Sequence, residues 1–321
     1  RLYKDKIPHV KNKFRSGYYL YTTNYPAAEK SFFNMEMNSL FHMPIENKHF
    51  FSTKYVNPSR SPYIKHCISI RYTGHSLEEL IKKLSFDNFQ SNNFKVCFID
   101  IENEKFTFHE RRKVEYSIGL KIAGCSEMDN PEILFGISKS DGIWVFGECE
   151  SNDYRWQQHK IKPYSYSNAL NVEISRSLVN IAAAEGAKSL IDPCCGIGTV
   201  VIEAMDMGYS IKGCEINPSI CSNARKNLEY FGFKDVITLG DMNSVTEHFH
   251  ASIVDLPYGV FTSTTLEKQL DIISCARRIS DRMVIVTFEN MDKHIIDSGF
   301  KIMDKCAVAK GKFTRHIIIC K

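Results

Sequence analysis

The stretch that most constrains this chain is Lys188-Ser-Leu-Ile-Asp-Pro-Cys-Cys-Gly-Ile-Gly-Thr-Val-Val-Ile-Glu-Ala204. A short apolar strand ends at Asp192, a glycine-rich turn follows, and Thr199 opens a helix. A strand feeding a tight turn into a helix N-terminus is the first βα unit of a nucleotide-type cofactor fold. The dinucleotide fingerprint places a third glycine further into the helix, whereas here Gly196-Ile-Gly198 runs into Thr199-Val-Val. Asp192 precedes the glycines and would repel a pyrophosphate. It suits a cofactor that carries a cationic amine.

The same unit then recurs. Strands are predicted at residues 189–191, 210–214, 236–239, 251–254 and 282–288, with helices at 199–207, from Pro218 to 231, 266–279 and 291–298. Pro218 suits a first helical turn. Two more strands, 300–307 and 313–320, have too short a connection for a helical crossover and should pair antiparallel. The expected fold is α/β: a doubly wound, Rossmann-like, mainly parallel sheet with an antiparallel terminal hairpin.

Asp192, Glu215 and Asp241 close successive strands, 23 and 26 residues apart, about one βα unit each. In a parallel sheet all three carboxylates lie on one edge. Glu215 is placed to accept two hydrogen bonds from a ribose diol, and Asp241 to accept from an exocyclic adenine amine. Gly196 and Gly198 permit close backbone approach. A cofactor with a cationic amine, a ribose diol, an adenine and no phosphate fits this set, and S-adenosylmethionine is one. The expected cofactor-binding residues are Asp192, Cys194, Gly196, Gly198, Thr199, Glu215, Ile216, Asp241 and Met242. Cys194 and Cys195 invite a nucleophile reading, but they sit in the cofactor loop, away from the fourth strand. Packing or cofactor contact is the preferred role.

Asp255-Leu256-Pro257-Tyr258 follows the fourth strand. An exocyclic amine on a base is a poor nucleophile because its lone pair is delocalised into the ring. Asp255 can accept one N–H and the Pro257 carbonyl another, while Asp255 stabilises the positive charge that develops as a methyl arrives. Tyr258 can stack on the base, which must then be unpaired or flipped out. These three are the expected catalytic residues.

The remaining sequence narrows the setting. At 321 residues the chain has room for two or three domains. Its formal net charge of +4 permits a polyanion partner without requiring one. No run approaches the roughly 18 apolar residues that span a bilayer. The 11 cysteines include no C-x-x-C pair and no histidines at zinc-finger spacing. Free thiols in a reducing cytoplasm are expected, with no metal site.

Residues 1–16 carry six cations against Asp5 and read either as a nucleic-acid-contacting arm or as a solvated terminus. Residues 17–150 show a strand-helix-strand rhythm, a small α+β region with strands near 18–23, 50–56, 63–72 and 94–99 and helices near 27–40, 77–84 and 110–122. Residues 150–171 interleave cations with aromatics: Arg155, Trp156, His159, Lys160, Lys162, Tyr164 and Tyr166. Such a strap can hold phosphates and stack on unpaired bases. It can equally be a polar connection whose aromatics pack on one domain. An apolar-periodic helix at 174–184 leads into the sheet.

Asp192-Pro-Cys-Cys-Gly-Ile-Gly-Thr, Glu215 and Asp255-Leu-Pro-Tyr resemble the cofactor and amine-recognition motifs of class I amino-methyltransferases. The wider chain, residues 17–321, resembles the THUMP-containing tRNA guanine-N2 methyltransferases, especially bacterial relatives of the position-10 enzymes. Arg60-Ser-Pro-Tyr-Ile-Lys, Pro131-Glu-Ile-Leu-Phe-Gly and His159-Lys-x-x-Pro163 extend the likeness. The resemblance implies a ferredoxin-like region over 1–58, a THUMP-like RNA-binding domain over 59–150, a linker over 151–172 and a methyltransferase domain over 173–321. It implies an enzyme acting on tRNA. A cytoplasmic monomer is expected, and the strap's composition offers Arg155, Trp156, His159, Lys160 and Lys162 as the RNA contacts. The family tetrad is Asp/Asn-Pro-Pro-Tyr/Phe, and here Leu256 replaces the first proline. A catalytically silent RNA-binding protein, a DNA adenine methylase and a protein glutamine methylase stay open as alternatives.

Overall fold

The computed structural model describes residues 17–101, 106–166, 169–257, 264–310 and 313–321. In chain order the first half contains β1 (Tyr19–Thr23), α1 (Lys30–Phe41), β2 (His49–Ser52), β3 (Ile64–Gly74), α2 (Leu77–Phe86), β4 (Phe94–Phe98), α3 (Phe108–Gly119), β5 (Ile133–Ser140) and β6 (Ile143–Ser151). A run of 3-10 helix, Arg155–Ile161, leads to α4 (Val172–Ala182), β7 (Ser189–Asp192), α5 (Thr199–Asp206), β8 (Ser210–Glu215), α6 (Pro218–Tyr230) and β9 (Ile237–Leu239). The chain closes with β10 (Phe249–Asp255), α7 (Leu266–Ile279), β11 (Ser280–Thr287), α8 (Asp292–Asp297), β12 (Ile302–Lys310) and β13 (Phe313–Cys320).

These elements divide into two compact units. One comprises the residues up to Asn24, Glu46–Pro58 and Ile64–Asp153. It is an α+β unit built on a six-stranded sheet of order β2-β1-β3-β6-β5-β4. Among its described strands only β4 and β5 run parallel, and α3 supplies the crossover that a parallel pair needs. Asp141 and Gly142 both have positive φ, which lets a two-residue turn join β5 to β6. The strand expected over 50–56 stops at Ser52. Beyond it the Tyr21 hydroxyl takes over the backbone, accepting from Val56 N at 2.6 Å and donating to Lys54 O at 3.1 Å.

The other unit comprises Tyr25–Ile45, Ser59–Tyr63 and Tyr154–Lys321. Its seven-stranded sheet has the order β12-β13-β11-β10-β7-β8-β9. Strands β11, β10, β7, β8 and β9 are mutually parallel, and β13 runs antiparallel to both its neighbours. The expected doubly wound sheet with a terminal antiparallel hairpin is therefore present. Helix α4 is buried along most of its length because it packs against α5, α1, β10 and β11. Helix α1 buries Phe32, Phe33, Met35, Met37, Leu40 and Phe41, and it also packs on β12.

One buried polar network accompanies that packing. Glu36 of α1 accepts from Asn180 Nδ2 at 2.6 Å and from Ser61 Oγ at 2.9 Å. Arg60 Nε donates to Asn180 Oδ1 at 3.0 Å. Every buried partner here is satisfied, as a low-dielectric interior requires.

Candidate active site

Four parallel strands bring acidic residues to one edge of the sheet. Asp192 ends β7, Glu215 ends β8, Asp241 follows β9, and Asp255 ends β10. Between them lies a cavity of about 580 Å³. Of the nine expected cofactor residues, Asp192, Cys194, Gly196, Thr199, Glu215, Ile216, Asp241 and Met242 line it. Gly198 does not. It caps α5 at φ 80°, and a side chain there would press on Leu228 and Ile237. Its role is to let the loop turn into the helix rather than to touch a ligand.

The loop is fastened to Glu215. Gly196 N donates to Glu215 Oε2 at 3.0 Å, and Asn217 N donates to Oε1 at 2.8 Å. Each oxygen keeps a further lone pair for a diol. Gly196 has φ 53°, and a Cβ there would collide with the Tyr166 hydroxyl. Asp241 Oδ1 accepts from Asn243 N at 2.8 Å, which fixes the carboxylate at the cavity wall. Ile216 is 68% exposed, an apolar surface offered to the cavity and solvent.

Electrostatically the cavity is prepared for a cation. Burial pushes the Asp192 carboxyl well above the usual carboxylate range, and the charges of Asp255 and Glu215 push it the same way. The Cys194 N–H, 3.3 Å from Asp192 Oδ1, pulls against this. The Tyr166 hydroxyl is raised to about 12, by burial and then by Glu215, Asp255 and Asp192. Burial likewise raises the Cys194 and Cys195 thiols far above their ordinary value, so neither is a thiolate nucleophile at neutral pH. Thr199 Oγ1 is buried at the cavity wall with no hydrogen-bond partner among the described residues.

Asp255, Leu256 and Pro257 also line the cavity. Leu256 N donates to Val286 O at 3.0 Å, and the Pro257 carbonyl accepts from Gln269 Nε2 at 2.8 Å. Tyr258 lies outside the described residues, as do residues 1–16.

The strap at 155–161 corrects one expectation. Trp156 and His159 are 2% and 1% exposed, so neither presents a face on which RNA could stack. His159 Nδ1 lies 2.5 Å from Glu203 Oε1, and Phe231 packs edge-on against the imidazole. Lys160 pairs with Glu173 at 2.5 Å. Lys162 is half-buried and burial pulls its ammonium down. Only Arg155 and Lys160 of the five are exposed. Trp156 and His159 serve as packing, the second of the strap's two sequence readings, whereas Tyr164 and Tyr166 are 36% and 44% exposed. His159, Glu203 and Asp206 have the composition of a metal site, but Arg176 Nη1 donates to both carboxylates, at 2.7 and 2.8 Å. The guanidinium already supplies the cation there.

Sequence reasoning did not place Tyr166, Leu170, Asn217, Thr264, Lys268 or Asp271 at the cavity. Lys268 and Asp271 belong to α7, one helical turn apart, and only the fold reveals which α7 face meets the β10 edge.

Several known proteins are similar to this chain. Residues 159–292 match the family model described as UPF0020, RMKL-like, methyltransferase domain. The tRNA (guanine(10)-N2)-dimethyltransferase of Pyrococcus abyssi is 30% identical over 165 residues, which cover 49% of this chain and 48% of that protein. Its counterpart from Methanocaldococcus jannaschii is 23% identical over 270 residues, 77% of this chain and 76% of the relative. The chain thus spans about half the length of the first relative and three quarters of the second. TrmN from Thermus thermophilus superposes with a TM-score of 0.47 at 14% identity, covering 95% of this chain and 99% of that one.

The sheet order, the acidic strand ends and the glycine loop define a class I, Rossmann-like S-adenosylmethionine methyltransferase fold, carrying an additional amino-terminal α+β unit. Over about half to three quarters of its length the chain is similar in sequence to tRNA (guanine(10)-N2)-dimethyltransferases.

Proposed function

We propose that this protein transfers a methyl group from S-adenosylmethionine to the exocyclic N2 amine of a guanosine in tRNA. The observation that carries the reading is the Asp255-Leu256-Pro257 loop opening into the same cavity as Asp192, Glu215 and Asp241. S-adenosylmethionine, when bound, supplies an electrophilic methyl group on a sulfonium. The cavity's donor set suits it: carboxylates for an amine and a diol, an unfilled Thr199 hydroxyl, and a backbone kept open at Gly196.

The chain's own groups then act on the base. The Asp255 carboxylate accepts one N–H of the amine and the Pro257 carbonyl accepts the other, which orients the nitrogen lone pair. Asp255 also offsets the positive charge that grows on nitrogen as the new bond forms. In this reading Tyr258 stacks on the base. The α+β unit serves as a ferredoxin-like and THUMP-like RNA-binding region, and exposed Arg155 and Lys160 add phosphate contacts that position without reading sequence. Among the described residues no helix is long and apolar enough to cross a membrane. All 11 cysteines are free, in keeping with a reducing cytoplasm. One copy of the chain carries every group the chemistry uses.

The test is methyl transfer from labelled S-adenosylmethionine to undermodified tRNA, followed by nucleoside mass spectrometry. N2-methylguanosine or its dimethyl form is the expected product. N6-methyladenine, or tRNA binding without any product, would replace this reading with one of its rivals.

A further inference from the structure

Methyl transfer to an amine needs both acceptors of the β10 loop held still, and a tetrad with two prolines would stiffen that loop through two fixed φ angles. Here Leu256 takes the first of those positions. Two hydrogen bonds act in its place. The Leu256 N–H donates to Val286 O at 3.0 Å, which carries the β10–β11 pairing one residue past Asp255. A proline at 256 has no N–H and could not make this bond. The Leu256 side chain is 2% exposed, buried with Val254, Ile273 and Ile285. The second bond comes from α7, where Gln269 Nε2 donates to the Pro257 carbonyl at 2.8 Å.

We infer that Gln269 is a positioning residue for methyl transfer: together with the Leu256 N–H it fixes the Pro257 carbonyl, leaving one lone pair for the substrate amine. A carbonyl oxygen has two lone pairs, so the Gln269 bond does not consume the acceptor. Gln269 is not among the residues that line the cavity. It acts through Pro257. The flanking residues support this placement: Leu270 packs on the cluster that holds Leu256, and Lys268 lines the cavity beside the loop. Helix α7 thus presents a donor to the one loop carbonyl whose direction matters. The inference rests on the methyl-transfer reading of the site.

The test uses Gln269→Met, which keeps side-chain length and removes the donor, and Gln269→Asn, which keeps an amide one methylene shorter. Three quantities are measured on the full chain: the single-turnover methyl-transfer rate on tRNA, the Kd for S-adenosylhomocysteine, and amide exchange at Leu256. For Gln269→Met the rate should fall about 10- to 100-fold, as expected of a reacting group displaced by a fraction of an ångström. The Kd should stay within about twofold, and Leu256 should exchange faster. Gln269→Asn should lie between the wild type and Gln269→Met in rate. An unchanged rate in Gln269→Met, with an active wild type, overturns the positioning role and leaves the functional reading standing. A fall in rate matched by an equal loss of cofactor affinity also overturns it, because the site would then have collapsed. A wild type that methylates no tRNA removes both.

Discussion

Asp192 is buried in the cavity wall beside two other carboxylates. Its carboxyl is raised by burial and by Asp255 and Glu215, so without a ligand the folded protein holds a proton there that the unfolded chain gives up. Stability should therefore fall as pH rises from the ordinary carboxylate range through the raised value. Binding a cationic amine reverses the balance by favouring the ionised form. Cofactor affinity should then rise with pH over that interval, with proton release. Isothermal titration in two buffers of different ionisation enthalpy measures the release, and an enthalpy independent of buffer would contradict it. Asp255 behaves differently because its main work is on the substrate. Asp255→Asn should lower the transfer rate about 10²- to 10³-fold while cofactor affinity holds. An equal loss of both would assign Asp255 to the cofactor. The strand-end acids were legible in the sequence because a parallel sheet fixes where successive strands end. Tyr166 and Gln269 were not, since a strap residue and one face of a helix reach the site only through tertiary packing.

Among the elements, α1 shows how far local periodicity reaches. Its helical character is readable from residues 27–40, but its assignment to the methyltransferase unit is not. That assignment comes from contact with α4 and β12 and brings Glu36 into a fully buried setting. Burial raises its carboxyl to about 7, against hydrogen bonds from Asn180 and Ser61 that lower it. The native state holds this proton more tightly than the unfolded chain, so stability is full below the ordinary value near 4.5 and is lost as pH rises through about 7. The loss amounts to about 3 kcal/mol. Glu36→Gln keeps an acceptor for Asn180 and offers a donor to Ser61, with no charge to bury. Urea unfolding at pH 5 and pH 8 should show the variant more stable than wild type at pH 8 and the pH dependence flattened. An unaltered slope would mean Glu36 is not the titrating group. The strap is an element of the same kind. Its composition allowed two readings, and burial selects packing for Trp156 and His159 but not for the exposed Tyr164 and Tyr166. Trp156→Ala should cost about 3–5 kcal/mol, whereas Lys160→Gln, which breaks an exposed pair, should stay within about 1 kcal/mol.

For the whole molecule, the order of strands and helices in the carboxy-terminal half follows from βα alternation, and the reversed β13 follows from a connection too short to cross the sheet. What alternation cannot supply is that the methyltransferase unit draws on two earlier segments, Tyr25–Ile45 and Ser59–Tyr63. Helix α1 packs on α4, with Phe32, Phe33 and Met37 fully buried and Glu36 bonded to Asn180. Ser59 O accepts from Arg176 Nε at 3.1 Å and Nη2 at 2.8 Å, and Arg176 in turn holds Glu203 and Asp206. A fragment of residues 154–321 keeps the glycine loop, all four acids and the β10 loop, yet leaves Asn180 without Glu36 and a buried guanidinium without the Ser59 carbonyl. Each large apolar side chain removed forfeits about 1.5–3 kcal/mol of burial, and losing part of Arg176's hydrogen bonding adds a desolvation cost. The fragment should therefore melt on the order of 10–20 °C below the corresponding transition of residues 17–321, or fail to stay in solution. The relevant transition is the one that S-adenosylhomocysteine raises, followed by calorimetry with and without that ligand. A fragment that melts at the same temperature and binds the ligand equally well would show that α1 is dispensable to the fold it covers.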